Sequence, residues 1–163
     1  MISQTKSTER PHRCRTDLTI SVLNPTATVS NDTNQNSIIL KMTYGSVSFL
    51  LMGDANTDAE SRIANSGTIL QADILKVGHH GSATSSSSAF LSKVHPKTSI
   101  IEIRTGNSYG HPTATLGRLV QVGSAVHRTD VNAWKPRFSP WRNETSGPRL
   151  LQDVMQNFNT DYS

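Results

Sequence analysis

A turn of sequence Gly78-His79-His80-Gly81-Ser82 follows directly on the mostly apolar run from Asp73 to Val77. A strand that stops at such a turn sets two imidazoles on the rim of a sheet, where ligand and catalytic groups are commonly placed. Imidazole suits zinc, manganese or iron. On extended backbone two adjacent side chains diverge. In a glycine-bounded turn both rings can face one cavity, or one can ligate while the other supports it. Asp54 ends a second apolar run, Leu50-Leu51-Met52-Gly53. It could ligate or bridge a metal, with Gly53 letting the backbone approach closely. Its ordinary role would be to open the next helix as a cap or dipole partner. His111, in Ser108-Tyr109-Gly110-His111-Pro112, could cap a helix or reach over the sheet edge as a ligand or general acid. Tyr109 could hydrogen-bond a phosphate oxygen. His12, His95 and His127 read as ordinary histidines.

These residues must be positioned by the elements around them. Alternating β-branched residues predict a strand over Leu18–Leu23, closed by Asn24-Pro25. Ser37–Thr43 and Val47–Met52 predict a hairpin around Tyr44-Gly45-Ser46. A helix is expected over Asn56–Asn65, with Thr57 and Glu60 at capping-box spacing and Ala59, Ile63 and Ala64 inward. Asp73–Val77 is the strand before the His-His turn. Ser85–Val94 is a helix whose serine run supplies the N-cap rather than a linker. Thr98–Ile103 is a strand, Pro112 opens a helix to about Val122, and Ala125–Arg128 is a last short strand. A hairpin followed by strand–helix alternation is an α/β fold. The expected organisation is a disordered leader over 1–17, a domain over 18–132, and an irregular, proline-rich tail over 133–163, with a helix possible at 150–158.

Composition narrows the function classes. The 163 residues carry a formal net charge of +4 and a pI of about 9.5, which permits a phosphate-rich partner. The arginines, however, collect at the ends (Arg10, Arg13 and Arg15; Arg137, Arg142 and Arg149) and form no basic helix face. Cys14 is the single cysteine, so an intrachain disulfide and a cysteine zinc site are both excluded. No apolar run approaches the roughly 20 residues of a membrane span, and a hydrophobic signal core is not seen. The compartment is left open.

Four stretches in order carry a resemblance: NSIILKMTYGSVSFLLMGDA, ADILKVGHHGSATSSSSAFL, NSYGHP and VHRTDVN. Together they resemble the metallo-β-lactamase-like domain of ComEC-type DNA-uptake (competence) proteins and related bacterial and archaeal hydrolases, over roughly Leu18–Asn132. The resemblance implies an αββα sandwich, of which this sequence matches the C-terminal half. It also implies a centre of one or two divalent ions, zinc or manganese, that activates water for hydrolysis, often of phosphodiesters. Asp54, His79 and His80 would then be the metal residues, His111 the catalytic proton donor or phosphate contact, and Tyr109 and Ser82 substrate contacts. Single-stranded DNA or another phosphodiester would be the partner, and the family often works outside the membrane. The family's upstream H-x-H-x-D-H motif does not occur in this sequence. Three readings follow: a metal-dependent phosphodiesterase or nuclease; a truncated or split-gene fragment without activity of its own, which a chain carrying the missing half would complete; and a non-catalytic nucleic-acid-binding module.

Overall fold

The structure, a computed structural model, describes residues 18–25 and 29–131. The expected leader, tail and 150–158 helix lie outside them. Six strands form one sheet in sequence order: β1 (Leu18–Asn24), β2 (Ile39–Tyr44), β3 (Val47–Leu51), β4 (Ile74–Lys76), β5 (Thr98–Ile101) and β6 (Ala125–Arg128). The first three are antiparallel and β3 to β6 are parallel. The parallel strands are joined by α1 (Thr57–Ala64), α2 (Ser88–Val94) and α3 (Thr115–Gln121). Successive crossovers of one hand to adjacent strands put every helix on the same side of a sheet. The core agrees: Leu50, Leu75 and Ile101 from the strands meet Ile63, Phe90, Leu91 and Leu119 from the helices. The expected α/β alternation is thus observed. The described residues hold one sheet with helices on one face, not the two sheets of an αββα sandwich.

Register shows what the other face carries. Val22, Leu40, Leu51, Lys76, Ile100 and His127 stand side by side across all six strands, and Ile20, Met42, Phe49 and Ile74 form the adjoining row. Both rows lie one residue out of phase with Leu50 and Leu75, so they point away from the helices. They are largely apolar. At the β1 edge Ile20 is 54% and Val22 65% exposed, although the strand alternates as one that expects cover on one side.

All three helix starts differ from expectation. Helix α1 is capped by Asn56, whose side chain accepts from Ala59 N, and Thr57 is its first residue. Glu60 has no capping role. It is 1% exposed and accepts the backbone N–H groups of Ser86 and Ser87 instead. The expected capping box fails because this tertiary contact takes the carboxylate. Helix α3 begins at Thr115 rather than Pro112. Pro112 packs against Gly81, and Thr113 N donates to Gly81 O at 3.2 Å, so that segment tethers the His-His turn instead of opening the helix. Helix α2 begins at Ser88 rather than Ser85, because Ser86 is in left-handed backbone with its N–H on Glu60, but the serine run still supplies the cap: Ser87 Oγ accepts from Phe90 N.

At the end of the sheet away from the histidines, Asp73 joins three strands. Its Oδ2 accepts from Ser48 N and Oγ at 2.8 Å each, and its Oδ1 from Lys97 Nζ at 2.7 Å. Its carbonyl accepts from Lys97 N and Thr98 N. Burial pushes the Asp73 carboxyl up, but the bonds from Lys97 and Ser48 outweigh it and hold the group below its ordinary value. A carboxylate whose folded-state pKa is depressed stabilises the fold above its unfolded pKa, and that contribution is lost as pH falls through the folded value. Asp73→Asn is therefore expected to cost about 1–3 kcal/mol at neutral pH. The gap to wild type should close in acid, as read by urea denaturation across pH.

The two sheet faces make a second prediction. Leu75→Ala, in the helix-covered core, should cost about 2–5 kcal/mol. Val22→Thr, on the open face, should stay within about 0.5 kcal/mol. Paired denaturation curves check this.

Candidate functional site

The C-terminal ends of β3, β4 and β5 are tied together. Met52 N donates to Lys76 O, Val77 N to Ile100 O at 2.9 Å, and His79 N to Gly53 O at 3.0 Å. Gly53 has φ +54°, and a Cβ there would lie 3.2 Å from Ile38 O, so the chain between β3 and Asp54 has little room for a side chain. Asp54 N donates to Ser37 Oγ at 3.2 Å. Asp54 does not cap α1, which leaves its carboxylate half exposed at the sheet rim.

The His-His turn bends through left-handed backbone. His79 has φ 46°, ψ 45° and His80 φ 52°, ψ 24°. For residues with a Cβ this costs about 1–2 kcal/mol each, and it persists only where the surroundings impose it. The flanking glycines show how. A Cβ on Gly78 would lie 3.0 Å from Ala55 O, and one on Gly81 2.9 Å from Pro112 Cβ. The following loop is clamped from three helix-borne side chains. Glu60 of α1 accepts from Ser86 N and Ser87 N. From α3, Thr115 Oγ1 donates to Ser82 O at 2.7 Å, and Arg118 donates to Ser85 O and Ser86 O at 2.7 Å each. Ser85 Oγ closes back on Gly78 O at 2.9 Å. Burial pushes the Glu60 carboxyl up against the pull of these partners.

The two rings diverge. His80 turns to Asp54, with Nε2 3.5 Å from Asp54 Oδ1, while its Nδ1 lies 2.7 Å from Glu102 O. A carbonyl only accepts, so Nδ1 must carry the hydrogen. In the neutral ring Nε2 is then a bare lone pair facing a carboxylate. Two acceptors held face to face need a proton or a cation between them. Fixing one imidazole nitrogen on a backbone carbonyl is also how metal-binding histidines are oriented.

His79 turns the other way, toward His111, with ring centroids 6.1 Å apart and planes at 65°. Nδ1 of His79 and Nδ1 of His111 are both buried and find no hydrogen-bond partner among the described residues. Burial, and then the charges of His79 and His80, push the His111 imidazole below its ordinary pKa. This favours a neutral ring that accepts a proton over one that donates. His111 does not cap α3. Its backbone is held by Asn107, whose Oδ1 accepts from His111 N at 3.0 Å and whose Nδ2 donates to His111 O at 2.8 Å. Tyr109 stacks on His111 at 5.9 Å and is 80% exposed. Ser82 is 7% exposed and its hydroxyl pairs with Thr84 Oγ1, so it faces the loop rather than open solvent.

Among the expected residues, the structure brings Asp54 to His80 and His79 to His111. Glu60, Asn107, Thr115 and Arg118 are not evident from sequence as parts of the site. The one available signal is Glu60, whose spacing puts it on the inner face with Ala59 and Ile63. A catalytic zinc site takes three protein ligands and a water. Among the described residues, no group of three His, Cys, Asp or Glu side chains is placed to hold an ion. They supply a pair of donors and do not by themselves complete a metal centre. No helix among them is long and apolar enough to cross a membrane.

Gly81→Ala should test the tether to Pro112. It forces a Cβ into left-handed backbone and against the ring, for a loss of at least about 1 kcal/mol. Displaced His79 and His111 ring resonances in NMR spectra would accompany it.

The chain is 39% identical over 117 residues to ComE operon protein 3 of Bacillus subtilis. It is 35% identical over 112 residues to competence protein ComA of Neisseria gonorrhoeae, and 33% over 140 to recombination protein 2 of Haemophilus influenzae. These matches take in 71%, 68% and 76% of the chain but only 15%, 16% and 18% of the relatives. No family model matches the chain. The chain thus spans less than a fifth of the length of the curated relatives it matches, and what these similarities support is a relationship to one segment of competence-related proteins.

Proposed function

We propose that this chain is part of a metal-dependent phosphodiesterase site of the metallo-β-lactamase type, acting on DNA in uptake. The similarity to competence proteins supports the setting. The observation that carries the chemistry is the Asp54–His80 pair: a carboxylate oxygen and an imidazole nitrogen 3.5 Å apart, the ring oriented by Glu102 O. A divalent cation, zinc or manganese, satisfies that arrangement. The remaining donors come from polypeptide outside the described residues, as does the second sheet of an αββα sandwich. The open apolar rows around Ile20, Val22, Leu40 and Phe49 are the face it would cover. On this reading His79 and His111 stand beside the pair, with His111 neutral and able to accept a proton.

The test is metal content by elemental mass spectrometry, together with hydrolysis of bis(p-nitrophenyl) phosphate. Purified with zinc or manganese, the chain should retain metal that Asp54→Ala and His80→Ala each lose. His79→Ala should retain it. Metal unchanged in all three variants, or none in a folded wild type, would contradict the proposal. Metal retention without hydrolysis would assign this chain a half-site that further donors must complete.

A further inference from the structure

We propose that Glu60 is a positioning residue for the Asp54–His80 pair: by gripping the backbone of Ser86 and Ser87 it sets the distance between that carboxylate and that ring. The inference rests on the reading of the pair as a cation site. It adds a residue that touches neither the pair nor what the pair would hold.

Helix α1 has no internal use for a carboxylate at this position. Asn56 caps the helix, and Ala59 and Ile63 beside Glu60 belong to the apolar core. A charge buried to 1% exposure is retained only where partners meet it, and the partners of Glu60 lie outside α1. Oε1 takes the N–H of Ser86 and Oε2 that of Ser87. A glutamine of the same shape offers a single acceptor to those two donors.

Ser86 needs the grip. Its backbone is left-handed, at φ 54°, and its buried Oγ finds no hydrogen-bond partner among the described residues. Left-handed backbone is unfavourable for a residue with a Cβ, so both features press the loop to relax. Arg118 of α3 holds the other side of the same residue, with Nε donating to Ser86 O at 2.7 Å. A carboxylate on the N–H and a guanidinium on the C=O together fix the loop.

The grip reaches the pair from both ends. Asp54 lies just ahead of α1, and Thr57 N, at the start of the helix, donates to Thr84 O at 2.9 Å. On the other side, Ser85 Oγ donates to Gly78 O and Ser82 N to His79 O, each at 2.9 Å, so the loop is bonded to the turn that carries His80. One helix thus has Asp54 at its head and Glu60 on its inner face. The loop that Glu60 holds lies between that helix and the His80 ring, and transmits any shift.

The test is zinc affinity of the full chain by isothermal titration calorimetry, with the His80 ring followed by long-range proton–nitrogen NMR. Glu60→Gln should weaken zinc binding roughly 10- to 100-fold and displace the His80 resonances of the metal-free protein. Adding Ser86→Gly, which removes the Cβ from left-handed backbone, should recover part of that loss. Val94→Ala, which opens the core at the opposite end of the sheet, should keep wild-type zinc affinity and His80 resonances. Where Glu60→Gln does not fold, Arg118→Gln removes the grip from the carbonyl side and should show the same pattern. Wild-type affinity in Glu60→Gln, or an equal loss in Val94→Ala, would overturn the positioning role. No recovery with Ser86→Gly would overturn the path through Ser86. A wild type that binds no zinc would overturn the cation reading alone. In that case displaced His80 resonances in metal-free Glu60→Gln would still support positioning, and unmoved ones would overturn it.

Discussion

Two consecutive histidines in left-handed backbone are the constraint on which this structure depends. Left-handed conformation is unfavourable for any residue with a Cβ, and here it occurs twice in succession, at His79 and His80. What holds it is assembled from distant parts of the chain. Pro112 presses on Gly81, Ala55 O crowds Gly78, and Ser85 returns to Gly78 O. Glu60 on α1 and Arg118 on α3 fix the loop that follows. The helices thus both cover the sheet and brace one turn at its rim. Strain held this way is found where function needs a side chain aimed against its local preference.

The turn divides its two rings between two environments. His80 is about half exposed and faces a half-exposed Asp54. His79 points to His111, where ring nitrogens are buried without partners among the described residues and charge is disfavoured. One side sets an imidazole against a carboxylate, and the other disfavours charge on an imidazole. Tyr109 lies beyond the second, its ring 5.9 Å from that of His111 and the residue 80% exposed. The sheet supplies the rest of the setting. Its helix-covered face is a closed core, while its other face carries apolar rows that are exposed at the β1 edge.

Much of this is legible in the sequence, because it depends on local pattern. The alternation of Leu18, Ile20 and Val22 marks a strand, and Gly45 marks the hairpin. The apolar run into Gly78 puts the histidines at a sheet rim, and Ser87 caps its helix. What is not legible depends on contacts between residues far apart. Thr57 and Glu60 have the spacing of a capping box, but a partner 26 residues away takes the carboxylate. Pro112 is well suited to start a helix, but packing on Gly81 uses it otherwise. The direction of each histidine ring depends on Glu102 O and on the neighbouring loop, and no feature of the Gly-His-His-Gly turn itself discloses it. Asn107 gives no signal at all, since an asparagine in a turn-rich loop is expected on local grounds.

The most direct measurement is the protonation pattern of the His80 ring, read from long-range proton–nitrogen NMR spectra in neutral to mildly alkaline solution, with and without zinc. The account predicts hydrogen on Nδ1, where Glu102 O accepts it, a bare Nε2 facing Asp54, and a displacement of the Nε2 resonance on adding zinc that Asp54→Ala abolishes. Hydrogen on Nε2 in the neutral ring, or an Nε2 resonance indifferent to zinc, would contradict it.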